Sequence, residues 1–460
     1  MKVTYITSAA VEVEHDGFRV LCDPWFTDGA YHGSWFHYPP LAADTVNKYL
    51  GVDAIYLSHI HPDHFDPGTL AHFRKDIPVF ICEYEEKYFL RHIQALGFTN
   101  VKEVPNRGTV TLKPGFEMEI MAADDCNPAS FALAYQTRPI PSTGKTRQID
   151  SLAIFRAGRE VLMNTNDVPW ALLYQAFPYI KQKYGTITCM LVSYAGAGPF
   201  PQCFMHKTRE ELAGMAIETG LSYLRGTIEY IKFFEPDYYI PFAGQYTIGG
   251  KNSWMNIYKG VLDLDDLPVD FEKFMKQIKA HPQMVLLNHE GSLDLTTKKI
   301  EGAFTGTDFA ARERYVKEVL ASKKYDYEDS PDMSDEEMDR QVAVARERLL
   351  RKQRVFHYFS ERKVYMSNGK GKYYCIPFDT SPAKLVEASE ISSPSIVADL
   401  DRRLFAKILR REANWNNAEV GSHMMMKFVV DPGVPSYEPM LMFLMPYFQG
   451  EAVVPAAAAA

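Results

Sequence analysis

Ala54-Ile55-Tyr56-Leu57-Ser58-His59-Ile60-His61-Pro62-Asp63-His64-Phe65-Asp66 is the stretch whose reading decides the fold. Ala54 to Leu57 has the length and residue types of a buried strand. A loop leaving a strand can turn several side chains into one small volume. Two histidines one residue apart, followed by Asp-His, suit two adjacent metal ions. His59 and His61 face the first ion on this reading, and Asp63 and His64 the second. Imidazole serves Zn, Fe, Ni and Cu alike, while carboxylate oxygens favour harder ions. The competing reading is a polar loop that happens to be rich in histidine.

Upstream, residues 3–7, 11–14 and 18–22 read as a meander of short antiparallel strands around turns such as Asp16-Gly17. Pro24 stops the third strand and leaves Asp23 at its end. There Asp23 either orients a ligand or bonds to loop backbone. Downstream, Asp66-Pro67 is a helix start, with Asp as N-cap and Pro as first helical residue, so Asp66 has a structural task. Residues 77–82 form a strand, and 85–96 a helix closed by Gly97. The strand 116–122 delivers Asp124 and Asp125 to a loop. A hairpin of 153–155 and 160–163 across Gly158 ends at Asn164-Thr165-Asn166-Asp167. Strands separated by helices, with acidic residues at strand ends, describe a layered α/β architecture whose chemistry lies in the loops. A further strand, 188–192, opens into the Gly/Pro loop Ser193 to Gln202. A helix over 207–234 and the run Tyr238 to Gln245 follow.

At 460 residues the chain exceeds what one core usually serves. The expected division is a catalytic domain over 1–304, a helical linker over 305–354, a small α+β domain over 355–450 and a disordered or artificial tail over 451–460. In the linker, Ser334 and Glu337 form a capping box for a helix running to Arg354. Strands at 355–359, 363–366 and 373–376, a helix at 401–411 and a strand at 424–430 make up the small domain. A net charge of −8 argues against a nucleic-acid partner, because phosphate binding wants clustered positive charge. Six scattered cysteines without a CxxC pair point to a reducing cytoplasm. No apolar run is long enough for a membrane span, and the N-terminus offers no signal segment.

The motif His59-x-His61-x-Asp63-His64 after a strand, with later carboxylates at strand ends, resembles the metallo-β-lactamase fold, an αββα sandwich. The match narrows with Val3-Thr4-Tyr5-Ile6-Thr7, Asp23-Pro24-Trp25, Leu162-Met163-Asn164-Thr165, Pro241-Phe242-Ala243-Gly244 and Leu293-Asp294-Leu295. Together these resemble the catalytic part of the CMP-N-acetylneuraminate hydroxylase family and its bacterial diiron monooxygenase relatives. The part from about 355 resembles a sterol-carrier-type fold through Leu409, Asn414-Trp415 and 441–448. The resemblance implies His59, His61 and Asp124 on the first metal, Asp63 and His64 on the second, and Asp167 bridging. It also implies departures. Asp124 replaces the superfamily's third histidine, Ser8 stands where relatives carry a histidine, and 241–245 lacks the late histidine of many hydrolases.

Three histidines among several carboxylates make an oxygen-rich site, which favours iron or manganese over zinc. The function implied is a non-haem diiron monooxygenase that hydroxylates a small, nucleotide-linked or thioester-linked substrate with O2. Electrons would come from a separate ferredoxin or reductase, because the Rieske ligand pattern is missing and Cys203-x-x-His206 is a single pair. The alternative is a hydrolase of a thioester, phosphodiester or lactone, with metal-bound hydroxide and Asp63 or Asp167 as proton acceptor. A third alternative is a non-catalytic binding protein that kept the fold. Tyr194, Phe200 and Gln202 of the Gly/Pro loop, with Gln245, Asn127 and Lys251, are the candidate substrate contacts. The structural alternative is a self-packed loop for the first three and a solvated surface for Lys251. His289 is either a fold histidine or a site residue. The C-terminal part is open to three roles: covering the site mouth, carrying an apolar ligand, or joining a homodimer.

Overall fold

The computed structural model describes residues 1–123, 127–134, 150–205, 207–276, 282–356 and 359–429. Two sheets face each other. The first has eight strands in the order Ile300–Ala303, Leu287–Asp294, Lys2–Thr7, Ala10–His15, Phe18–Cys22, Ala54–Tyr56, Val79–Cys82 and Val101–Val104. The second has seven: Gln283–Met284, Tyr238–Phe242, Cys189–Ser193, Glu160–Asn164, Ser151–Ala157, Phe116–Ala122 and Gly108–Lys113.

Side chains alternate across a strand, and here the alternation sorts them into layers. Val3, Tyr5, Val13, Tyr56, Phe116, Phe155, Leu162 and Ile240 fill the space between the sheets. Ile6, Leu21, Ile55 and Ile81 face the other way, onto Phe89 and Ile93 of the helix Tyr88–Ala95. The opposite outer face, with Ile154, Met163 and Met190, packs on Leu224 and Ile231 of the helix Arg209–Phe234. Thr208 starts that helix with a capping box to Glu211. The layers are therefore helix, sheet, sheet, helix, as the α/β reading of the sequence anticipates.

A third sheet runs Lys384–Glu387, Lys372–Pro377, Lys363–Ser367, Ser395–Leu400 and Met424–Val429. The helix Asp335–Phe356 lays Met338, Val342, Ala345 and Leu349 against it. One expectation fails here. Residues 355–359 read as a strand, but Val355 and Phe356 are the last turn of that helix. The apolar run Val-Phe is short, and the 22-residue helix behind it carries it along. The core under the third sheet is continuous with Trp25, Tyr31 and Trp35 of the N-terminal part. Among the described residues no helix is long and apolar enough to cross a membrane.

Candidate metal centre

The meander and the histidine loop meet at one edge of the sandwich. Asp23 N–H donates to Tyr56 O at 3.0 Å, and Leu57 N–H to Phe80 O at 3.0 Å, so the pairing continues to the end of the strand. The loop then closes tightly, with the N–H groups of His64 and Phe65 both on His61 O (3.0 and 2.7 Å). Asp66 ends the turn as N-cap of Pro67–Leu70, accepting from Gly68 and Thr69. A Cβ at residue 68 would lie 2.8 Å from Thr27 Oγ1, so any larger residue there displaces the Thr27 side chain that bonds to Asp66. From the second sheet, Asn164 Oδ1 accepts from Asn166 N–H (3.1 Å) and Asn166 Nδ2 donates to Ser151 O (3.2 Å), which leaves Asp167 projecting. Ser8, Asp23, Asn166 and Ala243, each just past a strand, all have positive φ (45, 45, 47 and 49°). Such left-handed non-glycine backbone is uncommon and clusters at functional sites.

The hydrogen bonds behind the three rings set their tautomers. Ser58 Oγ gives its one proton to Asp23 Oδ2 (2.6 Å), so toward His59 Nδ1 (2.9 Å) it accepts. His64 Nδ1 donates to Asp23 Oδ2 at 2.9 Å. His61 Nε2 donates to Asn416 Oδ1 at 2.6 Å. His59 Nε2, His61 Nδ1 and His64 Nε2 are left facing one space. The first two lie 2.8 Å apart. At that distance the two nitrogens share either a proton or a cation. Nitrogen ligands about 2.1 Å from one ion lie about 3–3.5 Å apart, so these two would move apart slightly on binding one.

The carboxylates close the ring. Asp167 Oδ2 is 3.3 Å from His64 Nε2 and 3.9 Å from His59 Nε2. Asp63 Oδ2 is 3.6 Å from His64 Nε2, and Asp150 Oδ1 is 3.9 Å from His59 Nε2. Among the described residues, buried His64 Nε2 has no partner at hydrogen-bonding geometry. His59, His61 and Asp167 each offer a ligand atom within 4.8 Å of the others. Tyr31 donates to the other oxygen of Asp63 at 2.5 Å.

The electrostatics follow from burial and crowding. Burial, then the rings of His64 and His61, push His59 well below the usual histidine range. Burial also opposes charge on His64, but the carboxylates of Asp167, Asp63 and Asp23 outweigh it and raise His64 well above that range. Burial raises Asp63 against the pull of His64. Asp167 is lowered, since His64 and His61 outweigh its burial. Without a cation, the carboxylates draw a proton to His64; a bound cation would compete for the same place.

His59, His61, Asp63, His64 and Asp167 therefore converge. Asp124 lies outside the described residues, as does His206. The other residues singled out in the sequence have the following surroundings. Tyr194 is buried among the helices of the outer layer and hydrogen-bonded to Gln245, which is half-buried. Phe200 packs edge-on to Phe204, with centroids 5.0 Å apart. Gln202 is buried and donates to Ser422 Oγ at 3.1 Å. Asn127 accepts from Ala129 and Ser130 N–H (3.0 and 3.2 Å) at the start of the helix Pro128–Ala134. Lys251 is exposed and pairs with Asp401 at 3.4 Å. His289 lies 3.5 Å from Thr7 Oγ1. Sequence reasoning missed Asp150, Tyr31 and Asn416. Asp150 was findable, because it immediately precedes the strand Ser151–Ala157 and so stands at a strand end like Asp23 and Asp167. Asn416 was not, being 355 positions from His61.

Residues 2–127, which include the histidine loop, match the Beta-lactamase superfamily domain. The Cytidine monophosphate-N-acetylneuraminic acid hydroxylase of Danio rerio is similar at 25% identity over 254 residues, which is 53% of this chain and 38% of that protein. A Mycolicibacterium smegmatis protein, provisionally named as a Rieske 2Fe-2S iron-sulfur protein, is 33% identical over 123 residues, 26% of this chain and 24% of its own length. The chain thus spans well under half the length of these curated relatives. Among solved structures, the diiron beta-hydroxylase CmlA from Streptomyces venezuelae aligns at 16% identity with a TM-score of 0.40, over 64% of this chain and 53% of its own. An isothiocyanate hydrolase from Delia radicum gut bacteria aligns at 13% identity with a TM-score of 0.43, over 64% and 99% of the two chains.

Proposed function

We propose that the protein is a dinuclear metalloenzyme, a non-haem diiron monooxygenase that hydroxylates a small substrate. The observation that carries this is the set of three imidazole nitrogens turned toward three carboxylates. His59, His61 and Asp150 would hold the first ion, with Asp124 the other candidate for the third ligand. Asp63 and His64 would hold the second ion, and Asp167 would bridge. A shell with as many carboxylates as imidazoles suits iron or manganese better than zinc. Bound iron would supply the activation of O2. The residues of the chain hold the rings in one tautomer, keep Asp63 in place through Tyr31, and bury His59 and His64 away from water. The similarity to a sialic-acid hydroxylase supports hydroxylation of a small molecule.

Electrons would come from a separate ferredoxin or reductase. Of the candidate substrate set, Phe200, Gln245 and Asn127 are partly buried and Lys251 is exposed, so these four have surface to offer. The free thiols of Cys22, Cys82, Cys189, Cys203 and Cys375 suit a reducing cytoplasm.

One observation favours a hydrolytic reading. Tyr31 fixes Asp63, and burial raises its affinity for a proton, which suits a general base that needs no electron donor. Metal analysis of protein from iron-replete cells separates the two. Two irons per chain with peroxide-driven hydroxylation supports the oxygenase. Stoichiometric zinc with hydrolytic turnover replaces it with the hydrolase.

A further inference from the structure

The ring that faces the first ion is oriented from the far end of the chain. Asn416 lies on the short helix Trp415–Val420, between the third sheet's strands Ser395–Leu400 and Met424–Val429 in sequence. Asn414 starts the helix by accepting from Asn416 N–H at 2.8 Å, and Trp415 is fully buried beneath it. The segment after it is bolted to the N-terminal part at several points. Ser34 Oγ donates to Gly421 O (2.7 Å), Asn252 Nδ2 to Ser422 O (2.9 Å) and Gln202 Nε2 to Ser422 Oγ (3.1 Å).

His423 completes the attachment. Tyr31 O can only accept, so His423 Nε2 carries the proton of that 2.8 Å bond, and His423 Nδ1 accepts from Tyr327 OH at 2.9 Å. Burial lowers His423 to about 3, so the ring stays neutral in this role. Tyr31 and His32 both have left-handed backbone (φ 53 and 60°), a conformation that needs outside support. The tyrosine so held is the one that donates to Asp63. One C-terminal segment therefore reaches a residue of each half of the centre: His61 directly, and Asp63 through Tyr31.

We propose that Asn416 is a positioning residue of the metal centre, holding His61 as its Nε2–H tautomer so that Nδ1 faces the first ion. The inference rests on the dinuclear reading above. An acceptor on the outer nitrogen of a metal-bound histidine fixes the ring and raises its basicity, and losing one typically costs 10–100-fold in metal affinity. The only partner needed is an oxygen at the Asn416 Oδ1 position, which aspartate also provides and leucine does not. Both replacements keep the side chain's size.

The test uses the full chain, stripped of metal and titrated with Co(II) against a chelator. Ligand-field spectra and melting curves are recorded alongside. Asn416→Leu is expected to weaken the tighter-changing of the two Co(II) sites by about 10–100-fold and shift its spectrum. Asn416→Asp is expected to restore both, and the melting temperatures of the two variants to agree. Equal affinity and spectra in Asn416→Leu and wild type overturn the inference while leaving the dinuclear reading intact. So does weak binding in both variants, since the acceptor would then not be what matters. A wild-type chain that takes up no Co(II) overturns the dinuclear reading and this inference with it.

Discussion

One oxygen of Asp23 accepts from His64 Nδ1 at 2.9 Å and from Ser58 Oγ at 2.6 Å, while its other oxygen accepts from Ser58 N–H at 2.7 Å. Three donors converge on one carboxylate, and through Ser58 it also sets the tautomer of His59. Asp23→Asn leaves one acceptor oxygen and adds an amide donor, so a buried donor must face another. The expected cost is about 1–3 kcal/mol of stability and roughly 10–100-fold in metal affinity. Chemical denaturation and chelator competition measure the two, and unchanged affinity would refute the role.

Asp167 is the carboxylate near both His59 and His64, so removing it should uncouple the ions. Asp167→Ala is expected to lower the bound metal from two ions per chain to one or none. Asp150→Ala should lose only the ion held by His59 and His61. Metal analysis after gel filtration reads both stoichiometries. If Asp150→Ala keeps two ions, the third ligand of the first site lies elsewhere, with Asp124 the next to replace.

Tyr31→Phe removes the donor to Asp63 without opening a cavity. We expect a fall in turnover of roughly tenfold and a loss of about 1 kcal/mol in stability. Steady-state kinetics and thermal unfolding check this. A tyrosine needed only for packing would leave turnover unchanged.

Glu419 is buried, its Oε2 has no hydrogen-bond partner among the described residues, and burial raises its carboxyl to about 8. In the unfolded chain it titrates near the ordinary glutamate value. The native state therefore binds the extra proton between those two values, and stability from this group is full at acid pH and lost as pH rises toward 8. Glu419→Gln should melt like the wild type at pH 5 and at a higher temperature at pH 8.5. A constant difference across that range would contradict it.

The sequence was most legible where chemistry and periodicity coincide. His59 to His64 follows a three-residue strand so closely that the loop has nowhere to go but the sheet edge. Asp66 was recognisable as a cap because Pro67 follows it, and Asp167 because a hairpin delivers it. Asp23 left two readings open, and it performs both: it orients His64 and accepts from Ser58 backbone. Asp150 hid behind a long polar loop with no periodicity to mark its return to the sheet. Tyr31 and Asn416 were illegible for a different reason. Their roles come from packing between distant segments, and nothing local in Ala30-Tyr31-His32 or Asn414-Trp415-Asn416 announces it. Val355 and Phe356 misled because a short apolar run at the end of a helix reads equally well as the start of a strand.

The buried cluster that joins Trp25, Tyr31 and Trp35 to Leu404, Phe405, Leu409 and Trp415 has a practical corollary. Excising the first 304 residues as a self-standing catalyst would strip those aromatics of their cover and unmoor the tyrosine strap beside Asp63. The two ends of this polypeptide are thus expected to melt in a single cooperative transition, and neither half is a spare part.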